Sequence, residues 1–146
     1  MIFLFDFFLP HYFHKKNHIK NKRIKYVSSH TKNISKKLFG VRKRIQCIFH
    51  FGEFARIYQS FLKLEECIES NSIGTHAVFN FCLENNIKLV YSATSATLGN
   101  KGNDQNLSPY AFTKAKNLEL LENLKKWFNF KFEVIYFYNV YGPGQI

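Results

Sequence analysis

Three strand-length apolar runs alternate with segments of helical spacing, and that alternation constrains the fold most. The runs are QCIFHFG (46–52), IKLVYSA (87–93) and the leading part of FKFEVIYFYNVYGPG (130–144). Between the first two, FLKLEECIESNSIGTHAVFNFCLENN (61–86) repeats apolar residues along one helix face, through Leu64, Ile68, Ile73, Ala77, Val78, Phe81 and Cys82. Between the second and third, the polar stretch ATLGNKGNDQNL (96–107) leads into a helix predicted from Pro109 to about Phe128, with Ser108 as N-cap and proline in its first turn. IKYV (24–27) reads as a further short strand, and ISKKLFGVRKR (34–44) as a weak helix or turn. Strands and helices alternating at these lengths imply an α/β fold, a parallel sheet covered by its crossover helices. QCIFHFG is expected to be a buried strand of that sheet. Sites in such sheets form beyond the carboxyl ends of the strands, which here carry HFGEFA, YSATSATLG and YFYNVYGPG.

The net charge of +11 is unevenly placed. Residues 1–46 hold twelve Lys/Arg against Asp6 alone, whereas residues 47–146 hold nine basic and nine acidic side chains. The body of the domain is therefore neutral, and a solvated basic arm is preferred over an RNA, DNA or anionic-lipid contact. The opening run MIFLFDFFLP is interrupted by Asp6 and stops at Pro10, too short for the ~20 residues that span a bilayer. It also lacks the basic lead and small-residue cleavage site of a secretory signal. Cys47, Cys67 and Cys82 lie far apart among apolar neighbours. They read as buried free thiols of a cytoplasmic protein, and no metal site is expected.

SPYAFTK (108–114) places Tyr110 four residues before Lys114. With eight tyrosines in 146 residues, chance alone supplies roughly one Tyr-x-x-x-Lys, and a second copy spans Tyr12 to Lys16. Context separates the two. On the predicted helix, positions 110 and 114 share a face. A nearby ammonium and the positive helix end both favour phenolate, which otherwise needs a pH near ~10. Ser92, Thr94 and Ser95, at the end of the preceding strand, offer a hydroxyl to complete an acid/base group.

Taken together and in order, these motifs resemble the extended short-chain dehydrogenase/reductase family, in its NAD-dependent epimerase/dehydratase branch. IFHFGEFA is similar to the family's fourth-strand segment, SNSIGTHAVFNFC to its Asn-x-x-Gly-Thr helix, and LVYSATSATLG to its Ser/Thr-bearing fifth strand. SPYAFTKAKNLELL is similar to the Tyr-x-x-x-Lys helix, and YFYNVYGPGQ to the segment ending Asn-Val-Tyr-Gly-Pro. The likeness runs from about Ile24 to Ile146, and it implies a partial Rossmann-like parallel sheet with flanking helices. It further implies that Tyr110 is the acid/base, that Lys114 binds the nicotinamide ribose, and that Thr94, rather than Ser95, is the catalytic hydroxyl. Phe51, Gly52, Glu53, Phe54 and Ala55 would line NAD, Ser70 and Tyr138 would touch it, and Asn139 with Thr94 would meet the substrate. In family chemistry a tyrosinate takes a proton from a sugar hydroxyl while the adjoining carbon gives hydride to NAD. The implied partners are a nucleotide sugar and, in the complete enzyme, a second copy of the chain. Taken singly, His50 reads more readily as a hydrogen-bonded core residue than as a ligand, Asn71 and Thr75 read at least as well as plain helix packing, and Glu53 as a solvated turn residue.

The family holds the cofactor diphosphate on a Gly-x-x-Gly-x-x-Gly loop after its first strand. Glycines 40, 52, 74, 99, 102, 142 and 144 form no such spacing. Ser29 and His30 follow the IKYV strand where the family usually has Gly-Asp, and the C-terminal lobe over the sugar has no counterpart. The expectation is therefore a truncated domain over 24–146 behind a leader of uncertain status over 1–23. That leader is expected to pack poorly and to supply no normal first strand. NAD binding by this chain is doubtful on this reading. The competing class is a non-enzymatic, degenerate Rossmann-like binding module with a basic arm.

Overall fold

The computed structural model describes residues 2–6, 22–98, 103–104, 106–138 and 141–142. The expected neighbours assemble as a parallel three-stranded sheet in the order β3-β4-β5, from β3 (Cys47–His50), β4 (Lys88–Thr94) and β5 (Phe132–Phe137). The register runs from Cys47↔Lys88 and Leu89↔Phe132 to Thr94↔Phe137. β2 (Ile24–Ser28) lies in a second ladder, where it pairs in parallel with β1 (Ile2–Asp6), from Ile2↔Ile24 to Asp6↔Ser28. The segment before residue 24 thus contributes a strand, which its sequence did not announce, although that strand carries no glycine loop. The edge of β2 has backbone donors and acceptors to satisfy, and IFLFD answers them despite lacking a glycine loop. The ladders β1-β2 and β3-β4-β5 are separate sheets.

β4 is the buried centre, with Leu89 through Ala93 all excluded from solvent. Leu89 and Tyr91 pack with Val78, Phe79 and Phe81 of α4 (Thr75–Glu84), Leu121 of α5 (Pro109–Phe128), and Ile34 and Leu38 of α1 (Ile34–Leu38). The Tyr91 and Phe79 rings meet edge to face at 5.5 Å. Side chains alternate across a strand, so the opposite face carries Phe49 of β3 and Ile135 and Phe137 of β5, all exposed. Phe51 joins them, edge-on to Phe49 and to Phe137 with centroids 6.0 and 5.4 Å apart. The described helices therefore cover one face of this sheet, not both. β3 is correspondingly less buried than its sequence suggests: only His50 is fully inside, while Phe49 is 64% exposed at an edge paired on one side. Cys67 and Cys82 are buried free thiols, and burial pushes Cys82 up to about 12. Cys47, on the edge strand, is only half-buried.

The helix of 61–86 is not continuous. α2 (Ile57–Leu62) ends at Lys63, whose φ of −126° and ψ of 53° leave helical space, and α3 (Leu64–Ile68) restarts the chain. A π-helical turn, Glu69–Gly74, then joins α3 to α4. The wider turn brings Ser70 and Asn71 together onto one backbone unit, a use typical of π turns near sites. Phe54 N–H donates to Ser70 Oγ at 3.1 Å and to Asn71 Oδ1 at 2.7 Å, and Asn71 Nδ2 donates back to Phe54 O at 3.0 Å.

Gly74 closes this turn where the helix crosses the 3-10 turn Thr31–Asn33, which His30 caps by accepting from Lys32 N–H at 3.0 Å. A Cβ on Gly74 would stand 2.3 Å from Thr31 Oγ1 and 2.9 Å from His30 Cε1. Gly74→Ala is therefore expected to destabilise the fold by about 1–3 kcal/mol, the usual penalty of overpacking, read from the urea midpoint. An unchanged midpoint would show that the Thr31 and His30 side chains simply swing away.

α5 begins and ends as its sequence predicts. Ser108 Oγ accepts from Ala111 N–H at 3.0 Å, Pro109 opens the helix, and Asn129 closes it in the left-handed region at φ 53°.

Candidate active site

The buried face of α5 carries Tyr110, Thr113, Lys114 and Asn117, a polar row at helical spacing that lies over the carboxyl end of β4. Tyr110 is fixed at its backbone, where its N–H donates to Ser60 Oγ of α2 at 3.3 Å, and Ser60 Oγ in turn donates to Ile57 O at 2.6 Å. The Tyr110 and Thr94 hydroxyls are hydrogen-bonded to each other. Burial pushes the Tyr110 phenol above its ordinary value, the Thr94 hydrogen bond pulls it back, and the Glu53 carboxylate pushes it up again. Ser95 has moved past the strand end into the 3-10 turn Ser95–Thr97.

The Lys114 ammonium contacts the Glu53 carboxylate, the Ser92 carbonyl and, at 3.3 Å, the Ser92 hydroxyl. It also lies 4.7 Å from the centre of the Tyr91 ring. Burial pulls Lys114 below the usual lysine range, opposed by Glu53. Glu53 is thus no solvated turn residue. Its side chain is 1% exposed, and Oε1 accepts from Thr75 at 2.9 Å, Tyr91 at 3.0 Å and Asn117 at 3.4 Å. His50 Nε2 is 2.9 Å from Thr75 Oγ1, and burial holds this imidazole below its ordinary pKa. His50 and Thr75 are therefore hydrogen-bonded core residues. Asn117 donates to Asn71 O at 2.7 Å and to the Tyr91 hydroxyl at 3.1 Å, and Asn71 Nδ2 reaches Thr113 Oγ1 at 3.2 Å.

Of the other residues singled out in the sequence, Phe51, Gly52 and Ala55 are exposed along the turn after β3, while Phe54 is half-buried. Ser70 is buried against Phe54 N–H, and Tyr138 is 70% exposed past the end of β5. Asn139 lies outside the described residues. Sequence reading missed Tyr91, Asn117 and Ser60. Asn117 had a signal, since it stands three residues beyond Lys114 and seven beyond Tyr110 on the same helix face.

A family model described as the NAD dependent epimerase/dehydratase family matches residues 11–146. The chain belongs to that family. Its match starts thirteen residues earlier than the likeness legible by eye from Ile24 (24 against 11). Among curated proteins, this epimerase/dehydratase-family chain is 29% identical over 113 residues to ADP-L-glycero-D-manno-heptose-6-epimerase of Fusobacterium nucleatum, an alignment covering 69% of this chain and 33% of that protein. It superposes on UDP-N-acetylglucosamine 4-epimerase of Methanobrevibacter ruminantium, solved in complex with UDP-N-acetylmuramic acid, with a TM-score of 0.78 and 22% identity, covering 89% of this chain and 44% of that one. A complex of Thermus thermophilus UDP-glucose 4-epimerase with NAD gives a TM-score of 0.76 at 20% identity, over 90% of this chain and 46% of that one. The fold is thus Rossmann-like, and the chain spans a third to under half the length of these relatives.

NAD fits the described residues unevenly. Tyr110, Thr94 and Lys114 bring two hydroxyls and an ammonium to the end of β4, the ammonium being engaged by Glu53 and Ser92. A diphosphate has no backbone cradle among the described residues: a Cβ on Gly40, Gly52 or Gly142 would meet nothing within 4 Å, and Gly74 is filled by Thr31 and His30. Among the described residues no His/Cys/Asp/Glu group could hold a metal ion, and no helix is long and apolar enough to cross a membrane.

Proposed function

We propose that this chain is the catalytic middle of an NAD-dependent nucleotide-sugar epimerase or dehydratase, with Tyr110 as acid/base, Thr94 as the hydroxyl that orients it, and Lys114 as the neighbouring cation. The observation that carries this reading is the Tyr110–Thr94 hydrogen bond at the carboxyl end of β4, with Lys114 one helical turn further along the same face. A phenol in that position can exchange a proton with a sugar hydroxyl, and the Thr94 bond aims its oxygen. Phe51, Gly52, Glu53, Phe54, Ala55, Ser70 and Tyr138 belong to the same proposal as the cofactor side of the site, and Asn139 with Thr94 as its substrate side. Of these, Glu53 and Ser70 act from within, through Lys114 and Phe54.

The isolated chain is proposed to be inactive. A doubly wound sheet of the order 3-2-1-4-5-6 accommodates β2-β1 as 3-2 and β3-β4-β5 as 4-5-6, which assigns no described strand to the position that bears the glycine loop. The exposed Phe49, Phe51, Ile135 and Phe137 likewise suit a sheet face that further structure covers. A homodimer of the complete enzyme has an apolar surface available in Ile57, Tyr58, Phe61 and Leu62 of α2, beside α5.

The test is constructive. A family glycine-loop βα unit and C-terminal lobe grafted onto this chain are expected to give turnover of a UDP-, dTDP- or ADP-linked sugar. Tyr110→Phe in the graft should lower kcat by about 10²–10⁴-fold, the usual worth of a positioned acid/base. A folded graft that binds NAD without turnover, or whose turnover survives Tyr110→Phe, would overturn the assignment in favour of a binding module.

A further inference from the structure

Among the described residues the Glu53 carboxylate is a heavily engaged buried polar group, and its partners come from three separate elements. Thr75 belongs to α4, Tyr91 and Ser92 to β4, and Lys114 and Asn117 to α5. Glu53 and Lys114 side chains are 1% and 4% exposed, so the pair sits out of reach of screening water. A lysine favours the phenolate of a neighbouring tyrosine only through its net positive field. A carboxylate in direct contact cancels much of that field, because a neutral ion pair acts as a dipole.

Burial acts most strongly on the Tyr110 phenol and pushes it up; the Thr94 hydrogen bond draws it down, and the Glu53 carboxylate pushes it up further. The titratable and charged groups around Tyr110 are Glu53 from the turn after β3, Tyr91 from β4, Cys67 from α3 and Lys114 from α5, with His50 of β3 beyond Glu53. Of these groups Lys114 is the cation, and it stands four residues beyond Tyr110 on the same buried face of α5.

We infer that Glu53 is an internal counter-ion that neutralises Lys114 and withholds its charge from Tyr110, a positioning residue that keeps the acid/base pair at rest. The inference rests on the reading of Tyr110 as the acid/base but needs neither cofactor nor substrate for its test. That test follows the ¹³Cζ resonance of Tyr110 through a pH titration of the full chain, the signal being assigned by its disappearance in Tyr110→Phe. In the native chain the midpoint is expected above the ordinary tyrosine value of about 10. Glu53→Gln should lower it by about one pH unit or more, the size of shift an unopposed neighbouring cation produces. Adding Lys114→Met to Glu53→Gln should abolish that fall. Should Glu53→Gln fail to fold, Glu53→Asp withdraws the charge by one methylene and is expected to move the midpoint in the same direction by less. A native midpoint below about 10, or a midpoint unmoved by the folded Glu53 variant, overturns the inference. Neither outcome bears on whether a grafted enzyme turns over sugar nucleotides, so the two readings fail separately.

Discussion

Calorimetric titration of NAD into the 146-residue chain is expected to give no saturable isotherm at micromolar concentrations, with a Kd of about 1 mM or weaker. In a dinucleotide site, backbone amides and a helix N-terminus hold the diphosphate through charge-assisted hydrogen bonds. Each contributes about 1.5–3 kcal/mol, so the absence of two or three weakens binding by several orders of magnitude. The seven glycines of this chain have no spacing that builds that loop. What remains is the group around Tyr110 and Thr94, and there the Lys114 ammonium is already engaged by Glu53 and Ser92. Purified chain should accordingly carry no NAD absorbance. A micromolar Kd would refute the proposal that the isolated chain is only the middle of an enzyme, and Tyr110→Phe should then retain binding while losing chemistry.

Lys114→Met is the substitution expected to damage the fold most. It removes the cation from a carboxylate whose side chain is 1% exposed, and a broken buried pair typically costs about 3–5 kcal/mol because the remaining charge is stranded. Adding Glu53→Gln should recover most of that loss. The amide oxygen can still accept from Tyr91 and Thr75, and no net charge stays inside. Urea denaturation of the native, single and double variants measures both steps. A loss below about 1 kcal/mol in Lys114→Met, the scale of an exposed pair, would show that water reaches Glu53 and that the pair is not sealed as its burial implies. A double variant no better than the single one would place the loss in the packing of the lysine stem.

The two predictions draw on different layers of information. The missing diphosphate loop is a matter of glycine spacing and is visible in one dimension. The stranded carboxylate depends on Glu53 meeting Lys114, 61 residues further along the chain. HFGEF read alone is an ordinary polar turn, and nothing local says that its carboxylate turns inward. The π-helical turn Glu69–Gly74 was equally hidden, because a one-residue bulge leaves apolar spacing on either side nearly intact. Strand alternation, likewise, says which residues share a face but not whether anything covers that face. Phe49, within a run expected to be buried, therefore proved exposed only once the sheet was assembled.

Local chemistry by itself determined the parallel β3-β4-β5 arrangement, the full span of α5 and the shared helix face of Tyr110 and Lys114. Helix caps, proline at the first turn and helical spacing all act within a few residues. Only the tertiary structure decided that Ile2–Asp6 joins as a strand, that the described helices cover one face of the central sheet, and that the lysine of the Tyr-x-x-x-Lys pair is held by a carboxylate from another element. Edge pairing, coverage and buried charge depend on what lies alongside in space. Hydrogen-bond and Coulomb energies are set by those neighbours rather than by distance along the chain.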